Sequence, residues 1–289
     1  MGGARAQPAA QKGFRFAFLP CIHLRRDLRS PEGFAHALRT VRQLTPAPEF
    51  LLTGGDMCHN LRDQTIAQSV EVTDLFLKLY REHCALPAHH CLGNHDLAAW
   101  NQASTAASDP LYGKQLTVKK LGMRDRFYSF DHAGWHFVVL DYVRVRAPGQ
   151  FTAEVDPEQL AWLGEDLARA QARPTIIVTH APVLSAVELL SDRAVRTAEA
   201  LAVPFGRVIS NGPALIEAAK AGNVRAFISG HLHLVERLEL MDRTFICSGS
   251  VSGHQWTGPR LGTPAGFGVF DCHPDGTFAF RYEPHGWKA

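Results

Sequence analysis

The sequence is poor in several features that would assign it to a special class. Its six cysteines in 289 residues, at positions 21, 58, 84, 91, 247 and 272, include no Cys-x-x-Cys pair. They are too sparse for a disulfide scaffold, and a reducing, cytoplasmic setting is the expectation. No stretch reaches the roughly 18 uninterrupted apolar residues that a membrane-spanning helix needs, so no membrane partner is expected. An excess of one charge is also lacking: 30 Lys and Arg against 28 Asp and Glu leave a formal charge of +2. That balance gives no ground for a polyanion-binding surface, and nucleic acid is not expected as a partner. Met1 to Lys12 has no apolar core of a signal peptide, although Ala4-Arg5-Ala6 resembles the small-residue end of one. Residues 1–13 therefore read as a disordered tail, and a periplasmic or secreted location stays open if an export signal precedes this sequence.

What is present is an ordinary globular composition, 46% hydrophobic and 20% charged, enough for a sizeable core. Phe14 to Leu19 reads as a strand entering a core, ended by Pro20. Ser30-Pro31 reads as a helix start, with Phe34, Leu38, Val41 and Leu44 at helical spacing. The alternation repeats: Phe50-Leu51-Leu52 ends in Gly54-Gly55-Asp56, Asp63 can cap a helix carrying Ile66, Val70, Leu77 and Tyr80, and Ala88 to Leu92 runs into Gly93-Asn94-His95-Asp96. This is a layered α/β pattern. Arg126 to Asp131 and Trp135 to Tyr142 predict a hairpin around His132-Ala133-Gly134. Asp156-Pro157 starts another helix, Thr175 to Thr179 is a buried strand ending at His180, and Asn211-Gly212-Pro213 precedes a further helix. Val224 to Ser229 is a strand, and hairpins follow at 234–248 and 267–282. Residues 183–210 fit no element well and read as a surface insertion, a candidate cap. With no repeat and no low-complexity linker, residues 14–289 read as one domain, and the sequence leaves homo-oligomer formation open.

The chemistry-bearing residues fall just after predicted strands: His23, Asp56, Asn94-His95-Asp96, His180, His231 and His233. Site residues in α/β folds assemble at such carboxyl ends. Four histidines, one Asp, one Asn and Cys21 suit transition metals, since imidazole and carboxylate together bind Zn, Fe, Mn or Ni. On extended segments, side chains two apart point the same way, so Cys21 with His23 and His231 with His233 can converge. Six or seven ligands exceed what one ion needs and match a binuclear centre. Any one of these residues alone would more often be a satisfied polar group at a strand end; the ordered series of five short motifs raises the reading.

Cys21-Ile22-His23, Gly55-Asp56, Gly93-Asn94-His95-Asp96, Val178-Thr179-His180 and Gly230-His231-Leu232-His233, in this order, resemble the calcineurin-like metallophosphoesterases, within them the cyclic-nucleotide and glycerophosphodiester phosphodiesterase branch. The resemblance covers about residues 14 to 250. It implies a four-layer αββα sandwich of the metallo-dependent phosphatase type and a hydrolase of small phosphate esters with two metal ions per chain (Fe, Zn or Mn). Metal one would take Cys21, His23, Asp56 and His233. Metal two would take Asp56, Asn94, His180 and His231. His95 would be the catalytic acid near the leaving group, oriented by Asp96. The family's first motif is Asp-x-His, and Cys21 stands in place of that Asp. A thiolate is softer than a carboxylate, so the first site should favour Zn or Fe.

Substrate identity is less legible. His254 and Trp256 follow the last motif and could flank a substrate, Arg25 and Arg26 are expected to be solvated, and an insertion at 183–210 could act as a lid. The competing readings are a nuclease, which lacks a basic stripe with interleaved aromatics, and a non-catalytic metal-binding scaffold, for which Cys21 is the sole support.

Overall fold

The computed structural model describes residues 12–192 and 194–288. Most of the expected N-terminal tail, residues 1–11, lies outside the described residues.

Two sheets pack face to face. The first runs Phe278–Pro284, Gly266–Cys272, Phe14–Leu19, Phe50–Gly54, Ala88–Cys91, with the last three strands parallel and the first two antiparallel. The second runs Val235–Leu240, Arg243–Ser248, Val224–Ser229, Thr175–Val178, Trp135–Val139, Tyr128–His132, parallel at its centre with an antiparallel strand at each edge. Period-two alternation decides which side chains enter which layer. Phe14, Phe16 and Phe18 face the second sheet and meet Phe137, Val139, Ile176 and Val178. Phe16 lies stacked between Phe50 and Phe270, with centroids 5.0 and 4.8 Å away. Ala17 and Leu19 point the other way, into a layer closed by Phe34, Leu38 and Val41 of the helix Ser30–Gln43 and Val72 and Phe76 of the helix Ile66–His83. Leu163 and Leu167 of the helix Pro157–Ala170 cover the far face of the second sheet. The result is the expected four-layer αββα sandwich. All six cysteines are free and buried.

Local details differ from the sequence reading where short polar residues compete for a cap. Thr65, not Asp63, starts the second helix: its hydroxyl accepts from Gln68 N and Gln68 Oε1 accepts from Thr65 N, a reciprocal capping box. Ser30 lies inside the first helix, and its hydroxyl accepts from Arg25 N at 3.0 Å. Asp156 caps as expected, accepting from Gln159 N at 3.1 Å. Residues 183–210 contain a helix, Ala186–Leu190, and a small hairpin pairing Val195–Arg196 with Leu201–Ala202. A further hairpin, Val143–Ala147 with Gln150–Ala153, was not foreseen.

Candidate metal centre

The motif loops leave their strands along the seam between the sheets. Cys21, His23, Asp56 and Asn94 follow strands of the first sheet, and His180, His231 and His233 follow strands of the second. Backbone bonds tie the loops together: Cys21 N donates to Gly55 O at 2.9 Å and His23 N to Asp56 O at 2.8 Å. Across the seam, His231 N donates to Cys21 Sγ at 2.9 Å.

The side chains converge by a different route from the extended geometry read in the sequence. Cys21 (φ 53°), His23 (47°), Asp56 (54°), His231 (68°) and His233 (59°) all occupy the left-handed region. Such conformations cost about 1–3 kcal/mol each for non-glycine residues and concentrate at functional sites. Glycine then permits the close approach. A Cβ on Gly93 would stand 2.2 Å from Asp56 Oδ1, and one on Gly55, itself at φ +83°, would stand 2.6 Å from His180 Nδ1.

Asp56 is the centre of the cluster. Its Oδ2 lies 3.1 Å from His180 Nε2 and 3.6 Å from His23 Nε2. On one side His23 Nε2 faces His233 Nε2 at 3.1 Å, and the ligand atoms of Cys21, His23 and His233 lie within 4.8 Å of one another. On the other side His231 Nδ1 is 3.1 Å from His180 Nε2. There the buried Tyr142 ring stands 5.6 Å from His180 and 6.1 Å from His231, and its hydroxyl donates to Asn94 Oδ1 at 2.8 Å. Cys21 also groups with Asp56 and His180 within 4.8 Å, so its sulfur reaches both lobes.

The donor chemistry fits a metal. His180 Nδ1 and His233 Nδ1 each sit 2.6 Å from a backbone carbonyl, of Gly54 and Gly253 respectively. A proton held there turns the Nε2 lone pair inward, the usual outer support of a metal-bound imidazole. Burial holds His23 and His231 well below the ordinary imidazole range and takes His233 down to about 4. Imidazole nitrogens 3.1 Å apart share a single proton or, with both lone pairs turned inward, a metal cation. His180 is the exception: burial opposes its charge, but the Asp56 carboxylate outweighs this and raises it. Burial opposes the Asp56 charge too, yet His180, His95 and His23 hold that carboxyl well below its usual range. Burial and Asp56 push the Cys21 thiol up, so its thiolate requires a neighbouring cation.

His95 borders the cleft. Its backbone N–H donates to Asp56 Oδ1 at 2.8 Å, and its ring lies 5.0 Å from the His23 ring and 6.0 Å from that of His59. Asp96 does not orient this ring. Its carboxylate accepts the amides of Asp56 (2.7 Å), Gly93 (2.9 Å), Met57 (2.9 Å) and Cys58 (3.4 Å), so it locks the Asp56 loop to the Asn94 loop. Burial beside Asp56 pushes Asp96 up to about 7 against the pull of these amides.

Trp256 does not flank the cleft either. It is buried to 2%, within the helix-side core, and its Nε1 donates to Ile22 O at 3.0 Å and His23 O at 3.2 Å. It braces the first motif loop from behind and lines no part of the cleft. His254 is exposed and does border the cleft. Arg25 and Arg26 pair with Asp27 and Glu71.

The cleft, about 200 Å³, also takes in Arg207 and Arg260. Neither arginine, nor Tyr142 or His59, was singled out by sequence. Tyr142 looked like the last apolar residue of a strand, and Arg207 lay in the insertion where no periodicity gave it a place.

Comparison with known proteins identifies the family. The family model described as calcineurin-like phosphoesterase matches residues 14–235, a span containing all seven candidate ligands. A protein of Nostoc sp. named as a 3',5'-cyclic-nucleotide phosphodiesterase is 27% identical over 169 residues, 58% of this chain and 54% of that one. The chain thus matches about half the length of that curated relative. Among solved structures, a dimetal phosphatase of Danio rerio superposes with a TM-score of 0.65 at 15% identity, covering 95% of this chain and 97% of the other. The fold is shared as well with GAP50, described as the anchor in the inner membrane complex of Plasmodium, at a TM-score of 0.58, 16% identity, and 95% and 85% coverage. With a metal-dependent family matched across its motif loops and the same fold in its structural neighbours, this chain belongs to the calcineurin-like phosphoesterases.

Proposed function

We propose that the chain is a phosphodiesterase for small phosphate esters, such as cyclic nucleotides or glycerophosphodiesters, with two metal ions held in adjoining lobes. The carrying observation is the pair of imidazole-lined lobes that share Asp56. Cys21, His23, Asp56 and His233 would hold one ion, with Zn or Fe favoured by the sulfur, and Asp56, Asn94, His180 and His231 the other, with Fe, Zn or Mn all compatible. When bound, such a pair supplies a nucleophile at neutral pH and Lewis acidity toward the phosphoryl oxygens. The name of the Nostoc relative supports the diesterase assignment.

The chain's own residues do the rest. His180 and His233 keep their rings aimed through the carbonyls of Gly54 and Gly253. Asp96 fixes the Asp56 loop against the Asn94 loop, and Tyr142 fixes the Asn94 amide. His95, at the cleft wall, donates a proton to the departing alkoxide. Burial lowers its basicity, and an anionic ester beside it acts in the opposite direction and favours the imidazolium.

The test combines elemental analysis of gently purified protein with turnover of bis(p-nitrophenyl) phosphate, cyclic nucleotides and glycerophosphodiesters. About two transition-metal ions per chain and metal-dependent turnover are expected. A protein that takes up no Zn, Fe or Mn and cleaves no ester would overturn the reading in favour of a non-catalytic scaffold.

A further inference from the structure

We propose that Arg207 and Arg260 form a subsite for a second phosphate group, so that the preferred esters carry one phosphate at the histidine cluster and another under these two guanidiniums. This deepens the hydrolase reading and rests on it for the position of the scissile phosphate.

Arg207 is held in place from behind. The Ser185 hydroxyl accepts from Glu188 N at 3.2 Å and starts the short helix Ala186–Leu190, which buries Glu188 to 3% exposure. Glu188 Oε1 then accepts both Arg207 Nε (3.0 Å) and Nη2 (2.7 Å). Ile209 N donates to Pro182 O at 2.9 Å, tying the segment to the loop that carries His180. One edge of the guanidinium is therefore fixed by a buried carboxylate, while Nη1 has no partner among the described residues and the side chain keeps 20% exposure. The rotamer entropy of a long side chain is already lost before any ligand arrives.

Arg260 sits at a small loop closed by reciprocal backbone bonds, Arg260 N to Thr263 O at 2.9 Å and Thr263 N to Arg260 O at 2.8 Å. Its guanidinium makes no ion pair with the described residues, although it lines the same cleft as Arg207, His231 and His233. The one carboxylate among the described lining residues is Asp56, and the histidines already surround it. Arg260 thus meets no anion in the cleft, while Arg207, paired through Nε and Nη2 with Glu188, keeps Nη1 unpartnered among the described residues. The planar guanidinium fork matches phosphate oxygens, and charge-assisted bonds to it are strong where water is partly excluded.

The experiment uses a matched pair of nucleotides. Calorimetry compares thymidine 3',5'-bisphosphate with thymidine 5'-monophosphate, and turnover compares their 5'-p-nitrophenyl esters, which share one scissile bond and one leaving group. Wild type should prefer the bisphosphate at least about tenfold, the size expected of one charge-assisted hydrogen bond. The variants are Arg260→Gln and the paired Glu188→Gln/Arg207→Gln, which avoids stranding a buried carboxylate. Each should erase most of that preference. If melting curves show that the paired variant does not fold, Arg260→Gln decides alone. Equal binding of the two nucleotides by wild type, or a preference that survives in the folded variants, would overturn the subsite. Absence of turnover with the binding preference intact would instead sink the hydrolase reading and leave the subsite standing.

Discussion

The two lobes around Asp56 are built to different standards. In the lobe of Asn94, His180 and His231, the outer nitrogen of His180 is bonded to Gly54 O, and Asn94 is held by the hydroxyl of a fully enclosed tyrosine. In the lobe of Cys21, His23 and His233, the outer nitrogen of His233 is bonded, but His23 Nδ1 is buried with no partner. The sulfur of Cys21 is held by one backbone amide. Each lobe has one imidazole with an outer bond, and what sets the first apart is the tyrosine that holds Asn94, while the second relies on the packing of Trp256 behind its loop. Affinity should therefore differ between the lobes, with the Cys21 lobe losing its ion first.

The largest expected effect lies where both lobes act on one substrate. His95→Ala should leave metal content nearly unchanged and slow turnover by about 10²–10⁴-fold, or roughly 3–5 kcal/mol of barrier. The loss should shrink for nitrophenolate esters, whose leaving group needs little protonation. Equal losses for good and poor leaving groups would remove His95 from the acid role.

The next effect tests the well-supported lobe. Tyr142→Phe keeps the ring and deletes the bond to Asn94, and losing such an outer contact typically costs about 10–100-fold in metal affinity or activity. Stepwise dialysis should then strip both lobes at similar chelator concentrations. If the variant retained its second ion as tightly as wild type, the Tyr142–Asn94 contact would not be the source of the difference.

A smaller change is expected in the softer lobe. Cys21→Asp should move metal preference from Zn or Fe toward Mn or Mg, and Cys21→Ser should weaken that lobe without moving its preference. Competition between metals measures both. Identical affinities and preferences among wild type and the two variants would show that the sulfur is no ligand.

A perturbation far from the cluster provides the control. His136 is buried between Asp131 (Nδ1, 2.7 Å) and Asp166 (Nε2, 2.9 Å). Burial opposes its charge, but Asp166 and Asp131 outweigh this and raise it above its ordinary value. Its contribution is thus complete below the unfolded pKa of about 6.5 and is lost as pH rises through the higher folded value. The two aspartates are lowered, so theirs holds above about 3.8 and is lost as pH falls. His136→Gln should cost about 2–3 kcal/mol near pH 5.5. That is less than the ~3–5 kcal/mol of a fully buried pair, because the Asp131 side chain is 52% exposed. The cost should narrow as pH rises above the ordinary imidazole range, with metal content unchanged throughout. Unfolding curves below and above that range check this, and a pH-independent cost would exclude a charged His136.

Sequence made the strand ends legible because apolar runs stop abruptly at each motif, and a resemblance carried by five such stops leaves little freedom in the fold. What it could not supply was direction. Asp96 adjoins His95 in the chain, yet the turn sends its carboxylate toward four amides and away from the ring. Trp256 has the same indole whether it caps a cleft or fills a core. Its burial depends on Gly33, where a Cβ would stand 2.3 Å from the Trp256 ring, and that pairing spans more than two hundred residues. Asp63 and Thr65 are equally good caps on paper, and only the position of Gln68 chose between them. Arg207 depends on a buried Glu188 that no spacing rule connects to it.

Because the ligands are divided between two sheets, any ion bound among them also fastens one half of the sandwich to the other. By mass action, free metal at a hundred times its dissociation constant would add about 2.7 kcal/mol to the folded state. A chelator would then loosen the docking of the layers as well as silence the cleft. Two preparations with identical sequence but different trace metal would melt at different temperatures.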